Sequence, residues 1–250
     1  MRRLNLLLGA SLFAMASAPA GAADVSAAVA ANFTKPAEEL GAAFTAKTGD
    51  TVTFSYGATG ALYTQISQGA PFEVYFAADN KRPTQAVAEG LAVDGTVFTY
   101  AIGKVVLYSP ILDLTDGAAV LKANAFQHLS VADPRTSPYG AAAMETLEKL
   151  GLTEALTPRL VTGENISQAL QFVDSANAEL GFVALSQVID KPAPQVWRVP
   201  SEDYTPILQD AVLLKAGEAD PAAAAFLEFL KGEEARAIIE KYGYEVASGN

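Results

Sequence analysis

Polar and apolar positions change period repeatedly along this chain. Thr51-Val52-Thr53-Phe54-Ser55-Tyr56 alternates polar with apolar, the two-residue period of a strand. Leu62 and Ile66 then recur at helical spacing, and Gly69 and Pro71 stop that helix. Gly57 to Gly60 therefore reads as a strand-to-helix turn, with Thr59 placed to cap a helix that begins at Gly60. The same alternation precedes and follows it. Val25 to Ala30 reads as a strand, and Phe33, Ala37, Leu40 and Phe44 mark the helix behind it, closed at Thr48-Gly49. Phe72 to Ala78 is a mostly apolar run suited to a buried parallel strand, followed by a turn and short helix from Asp79 to Gly90. Phe98 to Ser109 is long for one strand, and its middle, Ala101 to Lys104, is where a crossing into a second lobe is expected. Beyond it come a strand at Leu129–Ala132, a helix marked by Met144, Leu147 and Leu150, a short strand at Leu160-Val161, a helix marked by Ile166, Leu170 and Val173, and a buried strand at Leu180–Ala184. Tyr204 to Lys215 reads as a strand returning to the first lobe, and two helices around residues 221–230 and 233–242 close the chain. This alternation predicts an α/β protein with largely parallel sheets.

Residues 1–22 read as an export signal rather than fold. Arg2 and Arg3 make a basic start, Leu4 to Ala18 is almost wholly apolar, and Ala20-Gly21-Ala22 supplies small residues for cleavage, so the mature chain is expected to begin near Ala23. The formal charge of −11 becomes more negative once Arg2 and Arg3 are removed, which disfavours nucleic acid and anionic membranes as partners. The absence of cysteine excludes disulfides, thiolate metal sites, a cysteine nucleophile and a lipid-anchored cysteine, and is consistent with a bacterial periplasm.

The turn after the second strand is one of a set. Asn32 and Thr59 stand 27 residues apart, and so do Tyr139 and Ile166. Each opens a helix, one pair in each half of the chain. Helix starts carry unpaired N–H groups and partial positive charge, which suits an anion, and in open α/β sheets these turns lie where ligands bind. An acidic chain must hold an anion with such local donors, since its overall field repels one.

At these turns the sequence resembles a known family, the periplasmic molybdate-binding proteins of ABC transporters. The resemblance covers Val25 to Tyr244. It is carried by Ala30-Ala31-Asn32-Phe33, Gly57-Ala58-Thr59-Gly60, Gln68-Gly69-Ala70-Pro71-Phe72, Ala77-Ala78-Asp79, Phe98-Thr99-Tyr100-Ala101-Ile102-Gly103, Asp133-Pro134 with Pro138-Tyr139-Gly140, Leu180-Gly181-Phe182-Val183-Ala184 and Lys231-Gly232. It implies a two-lobed type II periplasmic binding protein fold, each lobe a largely parallel sheet flanked by helices, joined by two crossing segments. The expected division is residues 23–101 plus 207–250 for one lobe and 102–206 for the other. It further implies capture of molybdate, and tungstate with it, between the lobes for delivery to the membrane permease of an ABC importer, by a monomer that needs no cofactor. The ligand residues it implies are Ala31, Asn32, Thr59, Tyr139 and Ile166: Asn32 and Thr59 through side-chain and backbone donors, Tyr139 and Ile166 through backbone N–H groups. Many members carry serine at the positions of Asn32 and Thr59, and one branch has tyrosine where this chain has Ala184; the branch with asparagine and the Tyr139-type motif is the nearer match.

Three other readings compete. An exported enzyme would need a catalytic constellation, but the single histidine, His128, sits in a strand-edge context, and no G-x-S-x-G or H-E-x-x-H pattern occurs. A cation binder would draw on Tyr56, Tyr63 and Tyr75, which strand and helix packing explains more simply, so no direct cation ligand is expected. A binder of sulfate or phosphate would share the fold and differ in selectivity.

Overall fold

The computed structural model describes residues 22–246; the predicted export signal, all but its last residue, lies outside them. The chain runs β1 (Asp24–Ala30), a 3-10 turn (Ala31–Phe33), α1 (Thr34–Thr48), β2 (Thr51–Gly57), α2 (Thr59–Ser67), β3 (Val74–Phe76), α3 (Lys81–Ala88) and β4 (Phe98–Gly103). It continues through β5 (Val105–Tyr108), α4 (Gly117–Ala123), β6 (Leu129–Ala132), α5 (Pro138–Lys149), α6 (Thr153–Leu156), β7 (Leu160–Gly163), α7 (Ile166–Asp174), β8 (Leu180–Ala184) and β9 (Val196–Arg198). It ends with β10 (Ile207–Leu213), α8 (Pro221–Phe229) and α9 (Glu233–Lys241).

Two five-stranded sheets result, β2-β1-β3-β10-β4 and β7-β6-β8-β5-β9. Their plans match position by position. In each, three neighbouring strands pair in parallel, and the fourth position is filled by a strand antiparallel to both its neighbours. That opposed strand is in each case the one arriving from the other lobe, β10 in the first sheet and β5 in the second. The sheets are thus mixed, each with four strands sharing a direction. The first keeps its chain through Gly103 and the second takes it up at Val105, leaving Lys104 as the peptide between them.

The hydrophobic pattern explains the layers. β1 and β3 lie inside the first sheet and are almost wholly buried, whereas β2 is its edge and keeps the alternation of a strand with one wet face. α1 turns Ala37, Leu40 and Phe44 inward and stops at Gly49, whose φ of 87° a residue with a side chain rarely adopts. Phe33, fully buried, packs edge-on against Tyr100 at 4.8 Å and Tyr244 at 5.3 Å between ring centres, which anchors the turn carrying Asn32.

One carboxyl in this lobe carries an unfavourable setting. Glu73 accepts a hydrogen bond from the Ser26 amide at 2.8 Å close to Asp220. Burial raises its pKa above the ordinary carboxylate range, the Ser26 bond lowers it by less, and Asp220 adds to the rise. A carboxyl raised on folding favours the native state at low pH, and that contribution is lost as pH rises from the unfolded value through the native one. Glu73→Gln keeps an acceptor for Ser26 and removes the charge. It is expected to raise the melting temperature near neutral pH, and the gain is expected to shrink as pH falls below the ordinary glutamate range, where the carboxyl is protonated in folded and unfolded chain alike. Calorimetric melts of both chains from neutral pH down through that range test this; a lower melting temperature at neutral pH would contradict it.

Candidate functional site

The four helix or turn starts singled out above follow β1, β2, β6 and β7, which hold equivalent places in the two sheets. The structure brings them together between the lobes. Ser167, one residue past Ile166, donates its hydroxyl to the Ala31 carbonyl at 3.2 Å. The Gly60 amide, one residue past Thr59, donates to the Thr136 carbonyl at 2.8 Å. Gln209 of β10 accepts from Asn32 Nδ2 at 2.8 Å and donates through Nε2 to Tyr139 Oη at 3.2 Å. Ala31, Asn32, Thr59, Tyr139 and Ile166 are all buried, between 1% and 5% exposed. Two grooves open on the flanks. One of about 340 Å³ runs beside Asn32, Ser167 and Ser186, the other of about 230 Å³ beside Ala78, Arg82 and Pro138.

Local sequence leaves one amide spare at each second-lobe start. In α7 the Asn165 side chain takes the amides of Ser167 and Gln168, at 2.9 and 3.0 Å, and its carbonyl takes that of Ala169. The Ile166 amide is the first-turn donor this cap does not use. In α5, Pro138 has no N–H, the Ser137 side chain takes Gly140 and the Ser137 carbonyl takes Ala141, which leaves Tyr139. In the first lobe, neither the turn at Ala31–Phe33 nor α2 has a side-chain cap.

This corrects the reading of Thr59. The helix starts at Thr59, not Gly60, with Ala58 as its cap residue. The Thr59 hydroxyl turns away from its own helix to accept the Ala78 amide at 3.0 Å, a tertiary partner that local spacing does not reveal. Accepting there leaves the hydroxyl proton free to donate. Its carbonyl accepts from Tyr75 Oη at 2.7 Å.

Asn32 is held more elaborately than its sequence context suggested. Its two Nδ2 protons go to Gln209 Oε1 and Tyr244 Oη at 2.8 and 2.9 Å, and its carbonyl accepts from Ser186 Oγ and Tyr244 Oη. The side-chain amide therefore braces the turn, and the donor Asn32 has left for a ligand is its backbone N–H. Tyr100 completes the cluster by donating to Gln209 Oε1 at 3.1 Å. Burial pushes Tyr100 and Tyr139 well above the usual phenol range and Tyr244 up to about 12, so all three stay neutral donors. Gln209, Tyr244, Ser186 and Tyr100 were missed as site residues. Gln209 alone had a local signal, a glutamine within the apolar run of β10.

The charged groups nearby offset each other. Arg82 pairs with Asp79 and reaches the Arg135 carbonyl at 3.4 Å, and Arg135 pairs with Asp133. The cleft can thus offer an anion several neutral donors from both lobes without burying an unpaired cation when empty. His128 is exposed at the start of β6, away from this cluster.

The model of the bacterial extracellular solute-binding protein family matches residues 25–245. The chain belongs to that family. Within it, this chain is 55% identical to the molybdate-binding protein ModA of Rhodobacter capsulatus over 242 residues, 96% of this chain and 93% of that one. It is 51% identical to the ModA of Azotobacter vinelandii, with 98% and 97% covered. Among solved structures, the periplasmic molybdate-binding protein of Azotobacter vinelandii superposes with a TM-score of 0.86 at 38% identity, covering 90% of this chain and all of that one. The two-lobed family fold is thus the one the paired sheets build.

Proposed function

We propose that this chain is the periplasmic binding protein of a molybdate ABC importer, closing its lobes on the dianion and presenting it to the membrane permease. Its similarity over nearly full length to proteins named for molybdate binding supports the choice of ligand. The mechanism is supported by the meeting of the four starts at the junction of the lobes, where Ala31, Asn32, Thr59, Tyr139 and Ile166 are buried, and by the amides of Tyr139 and Ile166 that their helix caps leave unused. In this reading Ala31, Asn32, Tyr139 and Ile166 contribute backbone amides and Thr59 its amide and hydroxyl. Each hydrogen bond to the charged acceptor contributes about 1.5–3 kcal/mol. The protein works as an exported monomer, binds tungstate as well, and catalyses no reaction.

Selectivity follows from rigidity. Donors fixed on separate packed starts cannot all move inward for the smaller sulfate, and each one left poorly satisfied costs about 1–3 kcal/mol. Two such losses amount to about a hundredfold. Calorimetric titration of the mature chain with molybdate, tungstate, sulfate and phosphate is the test. Molybdate and tungstate are expected to bind at least about a hundredfold more tightly than the other two. None of the five residues titrates near neutrality, so affinity should stay within about threefold between pH 6 and 8. Equal affinity for sulfate would overturn the reading. A steep slope with pH would point to Asp210, whose carboxyl burial raises above its ordinary range while Thr99 partly offsets it.

A further inference from the structure

On one rim of the cleft the lobes meet backbone to backbone. The Gly60 amide donates to the Thr136 carbonyl at 2.8 Å, and Arg82 reaches the neighbouring carbonyl of Arg135. Gly60 is the second residue of α2, directly after Thr59; Thr136 lies in the short loop that leads from β6 into α5 and Tyr139. Two short pieces of backbone therefore touch between the Thr59 start and the Tyr139 start. No side chain intervenes. A methyl group on Gly60 would stand 3.1 Å from Thr136 Cα and 2.8 Å from an Arg82 Nη. The second neighbour ends a flexible chain and can swing away; the first is backbone and moves only with its lobe. At 2.8 Å between nitrogen and oxygen the contact has no slack, and closer approach meets repulsion.

We propose that the Gly60–Thr136 contact is the closure stop that sets the width of the ligand cavity, which makes Gly60 a specificity-determining position. The proposal rests on the oxyanion reading above. Stopped there, the donors of the two lobes cannot draw in around a smaller tetrahedral anion. A residue larger than glycine would stop the lobes earlier and loosen the grip on the larger anion too.

The test uses the mature chain with Gly60→Ala, Arg82→Ala and the two combined, titrated with molybdate and followed by stopped flow. Crowding a close contact by one methyl group predicts a loss of molybdate affinity of about tenfold or more for Gly60→Ala. The loss should come through faster dissociation, with the association rate within about threefold, since the contact forms only on closure. The double variant should keep the loss relative to Arg82→Ala alone, because Thr136 Cα remains. The melting temperature without ligand should not fall, alanine being the better helix former. Unchanged dissociation in Gly60→Ala would overturn the proposal. So would recovery of affinity in the double variant, which would assign the effect to Arg82, or a ligand-free melting temperature lowered by several degrees, which would place the bare position in lobe packing. A wild-type chain that does not bind molybdate would overturn the functional reading itself, and the stop with it.

Discussion

Asn32→Asp is expected to lower molybdate affinity at neutral pH by at least about a thousandfold, more than Asn32→Ala does. The two substitutions share one loss. Each removes the amide group that donates to Gln209 Oε1 and Tyr244 Oη, and so loosens the turn that presents the Asn32 backbone amide. The aspartate also sets a negative charge in a buried space proposed to receive a dianion. At an effective dielectric constant of about 20, a unit charge and a dianion about 6 Å apart repel by several kcal/mol. The sign of the pH dependence separates the two contributions. Protonation neutralises the aspartate, so Asn32→Asp should regain affinity as pH falls, while Asn32→Ala should stay flat. Burial beside phenol and amide groups raises the pKa of such a carboxyl, which brings the recovery toward neutral pH. Calorimetric titration of both variants between about pH 5 and 8 makes the comparison. If Asn32→Asp tracked Asn32→Ala throughout, the anion would not lie beside Asn32.

The order of strands and helices was legible because each element carries its own period. β2 shows the two-residue alternation of an edge strand, and the buried strands β3, β6 and β8 read as apolar runs. Strand direction was not legible. β5 and β10 oppose their neighbours because each enters its sheet from the other lobe, and nothing in Val105–Tyr108 or Ile207–Leu213 announces where its neighbours come from. The site divides the same way. Asn32, Thr59, Tyr139 and Ile166 could be singled out because each stands at a strand-to-helix turn, and Ser137 and Asn165 are cap residues of ordinary type. The groups that hold those turns in place are remote: Gln209 and Tyr244 lie 177 and 212 positions from the Asn32 they brace. The role of Thr59 was misread for the same reason, since the Ala78 amide competes for a hydroxyl that local spacing assigns to its own helix.

Gly103→Ala is expected to damage stability and binding together, through one hydroxyl. Gly103 ends β4 at the junction of the lobes, and a Cβ there would stand 2.1 Å from Tyr139 Oη and 2.6 Å from Gln209 Nε2. Both neighbours are buried and bonded to each other, so neither can swing into solvent. Overpacking of this kind costs about 1–3 kcal/mol, and in a chain of this size each kcal/mol lowers the melting temperature by about 2–4 °C. Displacing the Tyr139 ring also shifts the start of α5, and with it the backbone amide proposed to hold the ligand, so molybdate affinity should fall as well. Tyr139→Phe isolates the cause. Alone it keeps that amide, gives up the bond to Gln209 and should cost about 1 kcal/mol. Combined with Gly103→Ala it removes the atom that the new methyl group would strike. The pair should therefore be more stable than the sum of the single losses allows, by about 1 kcal/mol or more. Rescue should be partial, because Tyr139 Cζ would still lie 2.9 Å from the added carbon. Denaturant unfolding of the four chains measures the coupling. Strict additivity would mean that the methyl group is relieved by a shift of β4 and not by displacement of Tyr139.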